Sequence, residues 1–303
     1  MLMRTSGVVA FLFSVGVLSS AQSLGAPGPR LVEVAPAARV EDRAVRSQAR
    51  RIVTAQIRFY NRFLRQMELP TLNGMFVSLK RDPRTSTAGG ASFGGAYLTY
   101  PQQTLDETTV AHEVGHWIHF RLAGQDHSDG VVRTSAEIQQ QIGVQEGIAN
   151  ILSALFTGEP VIGAQDHYDF VVSVNRFVRF PDRVPTIGDF MRGILNAPLY
   201  NDAYPWSAEQ TRGQYGALMS APTRERELDL PSPYLSSAVF TQPLWLAAQR
   251  FGRARVVRCL LRALDGYRSY VIYSDFAARI LESCAADGAV RDFLAAEFEQ
   301  RGI

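Results

Sequence analysis

The apolar positions of the chain follow a helical period near the start. Residues 41 to 68 repeat apolar side chains, together with Gln56, at the spacing of one helix face: Ile52, Phe59, Tyr60, Phe63 and Met67. The arginines of this stretch lie largely on other faces, and Glu41, Asp42 and Glu68 flank them. A solvated helix surface is therefore favoured over a nucleic-acid or membrane role for them. The pattern therefore predicts one long amphipathic helix.

Between residues 71 and 100, the spacing of apolar residues changes to the alternation typical of β-strands. The stretches LNGMFVSLK and AYLTY alternate apolar and polar residues. Between them, GGASFGG supplies glycines suited to a turn or to close approach of another backbone. This region predicts a small sheet.

Two further helices follow, each preceded by the signature of a capping box. Thr104 pairs with Glu107 at the start of the first, which should run to about Ala123. Thr134 pairs with Glu137 at the start of the second, which should run to about Phe156.

The remainder of the chain divides into a loop region and a helical region. Residues 181 to 233 are crowded with proline, glycine and tyrosine and predict long loops. The helical period returns in SSAVFTQPLWLAAQRFG and RARVVRCLLRALDGY, with two shorter helical segments after them.

The first residues have the pattern of a secretory signal peptide. MLMR carries positive charge, GVVAFLFSVGVL is an apolar core, and SSAQS offers small residues for cleavage after Ala21. A membrane anchor is the competing interpretation, but the apolar run is shorter than a span of about 18 residues. We expect residues 1–21 to be removed, leaving a secreted or periplasmic protein without a stable membrane anchor. Residues 22–40, rich in proline, alanine and glycine, predict a flexible lead-in.

Composition narrows the range of partners. The chain has 303 residues, 46% of them hydrophobic and 20% charged, as expected for a globular protein. A net charge of +2 gives no electrostatic reason to expect a nucleic-acid partner. Export would permit Cys259 and Cys284 to form a disulfide, but two buried thiols fit the sequence as well. No pattern indicates an oligomeric state.

The stretch HEVGH, residues 112–116, contains residue types that bind metal ions, at a spacing suited to binding one. His112 and His116 are an i, i+4 pair, so on a helix both imidazoles point the same way, and imidazole suits Zn²⁺. Glu113 projects beside such a metal rather than at it, where it can act as a general base on water activated by the metal. A catalytic zinc takes three protein ligands and keeps one position open.

Glu146, in GVQEGIANIL on the following helix, is the candidate third ligand. It is flanked by Gly147 and Ala149, which would permit close packing of two helices. A surface glutamate is the alternative, but the apolar neighbours of Glu146 argue that its carboxylate needs a buried partner. His119 has the wrong offset for a ligand and is expected to pack beside the site.

These motifs resemble the glutamate-zincin metallopeptidases, the thermolysin-like family in particular. HEVGHWIHFRLAG is similar to that family's first zinc helix and QEGIANILSALF to its second, and the C-terminal helices resemble its helical lobe. The resemblance implies one zinc ion held by His112, His116 and Glu146, with Glu113 as catalytic base.

The resemblance also implies a fold and a substrate. The expected fold is α+β, with an N-terminal lobe (41–160) carrying a small mixed or antiparallel sheet and the zinc helices. A mainly helical C-terminal lobe (161–303) would follow, with zinc in the cleft between the lobes. A peptide or protein substrate would add as a strand along FGGAYLTYP, at Gly95, Ala96 and Tyr97.

The chain departs from the family pattern in three ways. Asn150 replaces the aspartate that orients the first histidine, and it can accept a hydrogen bond from His112 without supplying charge. No histidine follows His167, so the family's oxyanion-stabilising histidine is missing. Tyr234, five residues after Asp229, is the nearest counterpart, with Arg212 a weaker one. Calcium-binding acidic clusters are not evident.

The sequence therefore predicts an exported zinc metallopeptidase that hydrolyses peptide bonds by Glu113-assisted attack of zinc-activated water. The alternative is a non-catalytic, peptidase-like protein that binds zinc or peptides without cleavage. The intact Glu113 favours the enzyme, since a structural site has no need of a base; Asn150 and the missing histidine favour the alternative.

Overall fold

The computed structural model describes residues 32–34, 43–81, 88–92, 95–100, 105–123, 135–162, 172–173, 236–267 and 272–303. Several sequence predictions lie outside these residues: the signal peptide, the loops at 181–233, and Thr104, Thr134, Arg212, Asp229 and Tyr234.

A four-stranded mixed sheet forms in the first part of the chain. Its strands are β1 (Val32–Val34), β2 (Met75–Arg81), β3 (Ala88–Ser92) and β4 (Gly95–Tyr100), in the order β1-β2-β4-β3. β1 with β2 and β2 with β4 are parallel, and only β3 runs antiparallel to its neighbour. The prediction of a mixed sheet is confirmed, and its antiparallel alternative is wrong.

The parallel pairing arises because GGAS is a strand and not a turn. After β2 the chain forms β3 at the far edge of the sheet and then returns as β4 between them. Two reversals of direction leave β4 parallel to β2, where a single hairpin would have made them antiparallel. β3 also lies alongside the helix that carries HEVGH, which suits its small residues.

β1 lies within the stretch that was expected to be a flexible lead-in. Val32 and Val34 are buried, and the three residues of β1 pair with Met75, Phe76 and Val77. The guanidinium of Arg46 donates to the carbonyl of Val34 at 2.9 Å. Two alternating valines are enough to order this segment because β2 offers both a partner edge and an apolar face.

The helices follow the predicted pattern closely. α1 (Arg43–Gln66), α2 (Glu107–Ala123) and α3 (Ser135–Thr157) fall where the helical period placed them. The start of α2 differs in its capping residue. Asp106 Oδ1 accepts from the backbone N–H of Thr109 at 2.9 Å and from the Thr108 hydroxyl, so Asp106 caps α2.

The C-terminal part is helical, as predicted. It consists of α4 (Ala238–Phe251), α5 (Arg253–Leu264), α6 (Tyr273–Ser283) and α7 (Gly288–Gln300). A disulfide joins Cys259 of α5 to Cys284 at the end of α6, which decides between the two interpretations of these cysteines. After α3, two short strands, β5 (Val161–Ile162) and β6 (Val172–Ser173), form an antiparallel pair.

One hydrophobic core runs through the described residues, from Val32 in β1 to Phe298 in α7. α3 packs against α2 on one side and against α4 and α6 on another, so it connects the first part of the chain to the C-terminal helices. A division into two lobes with a metal in the cleft stays a prediction. None of the described helices has the length and apolar character needed to cross a membrane.

Candidate metal centre

The close packing of α2 on α3 sets the geometry of the candidate site. A Cβ on Gly115 would lie 2.8 Å from the carbonyl oxygen of Ala149, so only glycine permits this approach. On the other side of α3, a Cβ on Gly147 would lie 2.3 Å from the ring of Phe240 in α4. The small residues next to Glu146 therefore allow α3 to be packed tightly from two directions.

His112, His116 and Glu146 meet at this contact. The His116 Nε2 atom lies 3.0 Å from His112 Nε2 and 3.2 Å from Glu146 Oε2. His112 Nε2 lies 3.3 Å from Glu146 Oε2, which completes a triangle of nearly equal sides. All three side chains are buried. Among the described residues, these three form a group that could hold a metal ion.

Asn150 determines which nitrogen of His112 faces the triangle. Its Oδ1 lies 2.8 Å from His112 Nδ1, and because this oxygen only accepts, Nδ1 carries the proton. The Nε2 atom of neutral His112 then presents a lone pair toward His116 and Glu146. The predicted contact between Asn150 and His112 is therefore present, and it orients the ring of His112.

Two α1 side chains fix the backbones of α2 and α3. Gln56 donates to the carbonyl of Ala111, the residue before His112, at 2.9 Å. The Tyr60 hydroxyl donates to the carbonyl of Leu152 in α3. Both side chains are fully buried. Their signal in the sequence was a polar group on the apolar face of α1, but their partners could not be identified without the tertiary structure.

Glu113 is a second buried carboxylate at the site. It is 6% exposed, and its Oε2 atom has no hydrogen-bond partner among the described residues. Burial raises its pKa; the two histidines lower it and Glu146 raises it, leaving it above the ordinary value. For Glu146, burial acts to raise the pKa, but His116 and His112 together hold it at about 2. Glu146 is therefore ionised, and Glu113 is the more easily protonated of the two.

The other predicted residues fall into two groups. His119 is buried and stacks on Phe120, and it does not belong to the triangle. Gly95, Ala96 and Tyr97 lie in β4, which pairs with β2 on one side and β3 on the other. A Cβ on Gly95 would lie 1.9 Å from the carbonyl oxygen of Phe76, so close strand packing accounts for that glycine.

The protonation of His116 leads to a prediction for metal binding. Burial lowers its pKa, but the charges of Glu146 and Glu113 and a hydrogen bond to Glu146 raise it above 6.5 overall. Below that raised pKa, a metal must displace a proton from His116. We expect zinc affinity to rise about tenfold per pH unit and to level off once His116 is neutral, since one proton is released per ion bound.

Competition titration of the metal-free protein with zinc and a chelator, from about pH 5.5 to about pH 8.5, would measure this dependence. His119→Gln should preserve the same profile, because His119 is not a ligand. An affinity independent of pH over this range would show that His116 does not bind the ion.

The chain matches no model of a known protein family, and no curated protein matches it. The functional case therefore depends on the residues of the site and on their arrangement.

Proposed function

We propose that this protein is an exported zinc-dependent metallopeptidase. The observation that supports this most strongly is the buried triangle of His112, His116 and Glu146 with the carboxylate of Glu113 beside it. A metal site that served structure alone would be closed by a fourth protein ligand and would have no need of a base beside it.

The triangle is close in size to a tetrahedral zinc site. Ligand atoms about 2.0–2.2 Å from a tetrahedral ion are separated from one another by about 3.3–3.6 Å. The observed sides of 3.0, 3.2 and 3.3 Å are slightly shorter, so the three side chains would move apart by a few tenths of an ångström around the ion. The donor set of two imidazoles and one carboxylate is that of catalytic zinc sites, in which the fourth position stays open.

The charges of the site also fit a divalent cation. With neutral histidines, Glu113 and Glu146 would place two negative charges in a buried space, at a large cost in desolvation. A divalent ion bound by His112, His116 and Glu146 would offset both charges.

When bound, zinc would supply Lewis acidity toward a water molecule and a peptide carbonyl. Glu113 accepts the proton that the attacking water loses and passes it to the leaving nitrogen. Its buried carboxylate suits this exchange, because burial away from water favours the protonated form and so makes the carboxylate a better proton acceptor. Asn150 keeps the His112 ring oriented throughout.

The peptide is proposed to bind along β3 and not along β4. Strand addition needs an edge, and β4 has a partner on each side. β3 pairs with β4 alone among the described strands and lies next to α2. An extended peptide paired with β3 would therefore pass close to the metal site, without direct pairing to Gly95, Ala96 or Tyr97 of β4.

The test is a metal analysis combined with a cleavage assay on a mixed peptide library. We expect about one zinc ion per chain, cleavage of peptide bonds, loss of cleavage after chelation and recovery when zinc is returned. A zinc-loaded protein that binds library peptides but cleaves none would contradict the proposal. That outcome would favour the non-catalytic alternative, for which Asn150 in place of an aspartate is the supporting observation.

A further inference from the structure

The two histidines of the triangle are held in different ways. The ring of His112 is fixed by a hydrogen bond from its Nδ1 atom to Oδ1 of Asn150, at 2.8 Å. Both polar contacts of His116 are made by its Nε2 atom, to His112 and to Glu146. The Nδ1 atom of His116 has no hydrogen bond to any of the described residues. The orientation of the His116 ring must therefore depend on packing.

Two aromatic rings contact the ring of His116. The ring of His112 stands perpendicular to it, with centroids 4.6 Å apart and planes at 88°. The ring of Phe120 lies nearly parallel to it, with centroids 6.3 Å apart and planes at 18°. Edge-to-face and offset parallel arrangements are the two that aromatic rings prefer. Because residues four apart lie one above the other on a helix, His112, His116 and Phe120 form a row along α2, with His116 in the middle.

The ring of Phe120 is supported by a second neighbour. It lies nearly parallel to the ring of His119, with centroids 5.6 Å apart, and His119 is itself buried. Phe120 is partly exposed and comes directly after the run of buried residues from Thr109 to His119. Phe120 is therefore the point at which the ligand face of α2 first meets solvent.

We propose that Phe120 is a positioning residue for His116: its ring packs against the imidazole and keeps Nε2 directed at the metal position. This inference rests on the metal site of the proposed function and not on peptide cleavage. A histidine ring rotates over a broad range about its Cβ–Cγ bond unless its surroundings restrict it. Without Phe120, the His116 ring would spend part of its time turned away from His112 and Glu146. A metal binds such a site more weakly, in proportion to the fraction of molecules that are correctly arranged.

The test compares Phe120→Leu with Phe120→Tyr in the full chain. Leucine keeps an apolar side chain at this position and removes the ring, whereas tyrosine keeps the ring. Zinc affinity, measured by competition with a chelator, should fall about 2–10-fold in Phe120→Leu, which is the worth of one aromatic pair. Phe120→Tyr should bind zinc as tightly as wild type, because its ring can pack on His116 in the same way.

A second measurement reports the arrangement of the ligands without any cleavage. Cobalt(II) bound in place of zinc has a visible spectrum that depends on the geometry of its ligands. The spectrum of Phe120→Leu should differ from that of wild type in band shape, since His116 is less firmly held. The spectrum of Phe120→Tyr should match wild type.

Phe293→Leu is the matched control. Phe293 is a partly exposed phenylalanine of α7, and its ring packs against the ring of Phe251 with centroids 5.6 Å apart. The change removes a similar aromatic pair from the C-terminal helices. Thermal unfolding of the metal-free protein should show a loss of stability in Phe293→Leu, while its zinc affinity and cobalt spectrum stay at the wild-type level.

The outcomes separate this proposal from the proposed function. Zinc affinity in Phe120→Leu equal to that of wild type would overturn the role of Phe120. The same conclusion follows if Phe120→Tyr binds zinc as weakly as Phe120→Leu, or if Phe293→Leu loses as much affinity. A wild type that binds zinc and cleaves no peptide overturns the peptidase and leaves the role of Phe120 to be decided by these affinities. A wild type that binds no zinc overturns both.

Discussion

Glu113→Gln should lower peptidase turnover by about 10²–10⁴-fold while about one zinc ion stays bound. The amide has nearly the same shape as the carboxylate, so the packing around this buried side chain is preserved. It cannot accept a proton from water, and Glu113 lies beside the ligand triangle without belonging to it. Turnover should therefore be lost without loss of the metal.

Glu107→Gln is the matched control for this variant. Glu107 is an exposed glutamate in the first turn of the same helix, α2, so the change removes the same charge away from the site. It should leave turnover and zinc content at the wild-type level. Equal activity in Glu113→Gln and wild type, by steady-state cleavage of a fluorogenic peptide, would eliminate Glu113 as the base.

Glu146→Gln should lose both the metal and the activity. Its Oε2 atom lies 3.2 Å from His116 Nε2 and 3.3 Å from His112 Nε2, so it forms one corner of the triangle. Partners outside a ligand set are already worth about 10–100-fold in metal affinity. The loss of an anionic ligand should cost more, on the order of 10³-fold, since the neutral amide is a poor ligand for zinc.

Zinc affinity by chelator competition and turnover at a fixed low free zinc concentration would check this result. Glu159→Gln, an exposed glutamate just beyond α3, is the control and should behave as wild type. Thermal unfolding of the metal-free proteins should show that Glu146→Gln folds, because the change removes a buried charge. Zinc held as tightly by Glu146→Gln as by wild type would remove Glu146 from the ligand set.

The helices were predictable from the sequence because their apolar period is long and regular. α1, α2, α3 and the four C-terminal helices could be placed in this way. Strands β2 and β4 were predicted from their alternation as well, but β3 was not, because it is made of AGGAS and lacks the alternation that marks a strand. Its pairing with β4, and the parallel pairing of β2 with β4, depend on tertiary contacts. The sequence pattern pointed to Thr104 at the start of α2, whereas Asp106 caps the helix in the structure. Both residue types cap helices, so the pattern alone does not choose between them.

The candidate site was also predictable only in part. Helix geometry alone requires His112 and His116 to share a face. Glu146 reaches the two histidines because Gly115 of α2 packs directly against Ala149 of α3. The small residues in the sequence are compatible with this contact but do not identify it.

The strand β1 has a consequence for how far the chain can be shortened from its N-terminal side. The strand β1 (Val32–Val34) pairs with the edge of β2 that would otherwise be open. The carbonyl of Val34 accepts a hydrogen bond from Arg46 of α1. If the chain were cut back to the start of α1, β2 would become the edge and expose unpaired backbone groups next to Phe76, which is already half uncovered. Such an edge is a template for pairing between molecules, so β1 protects the folded protein against aggregation.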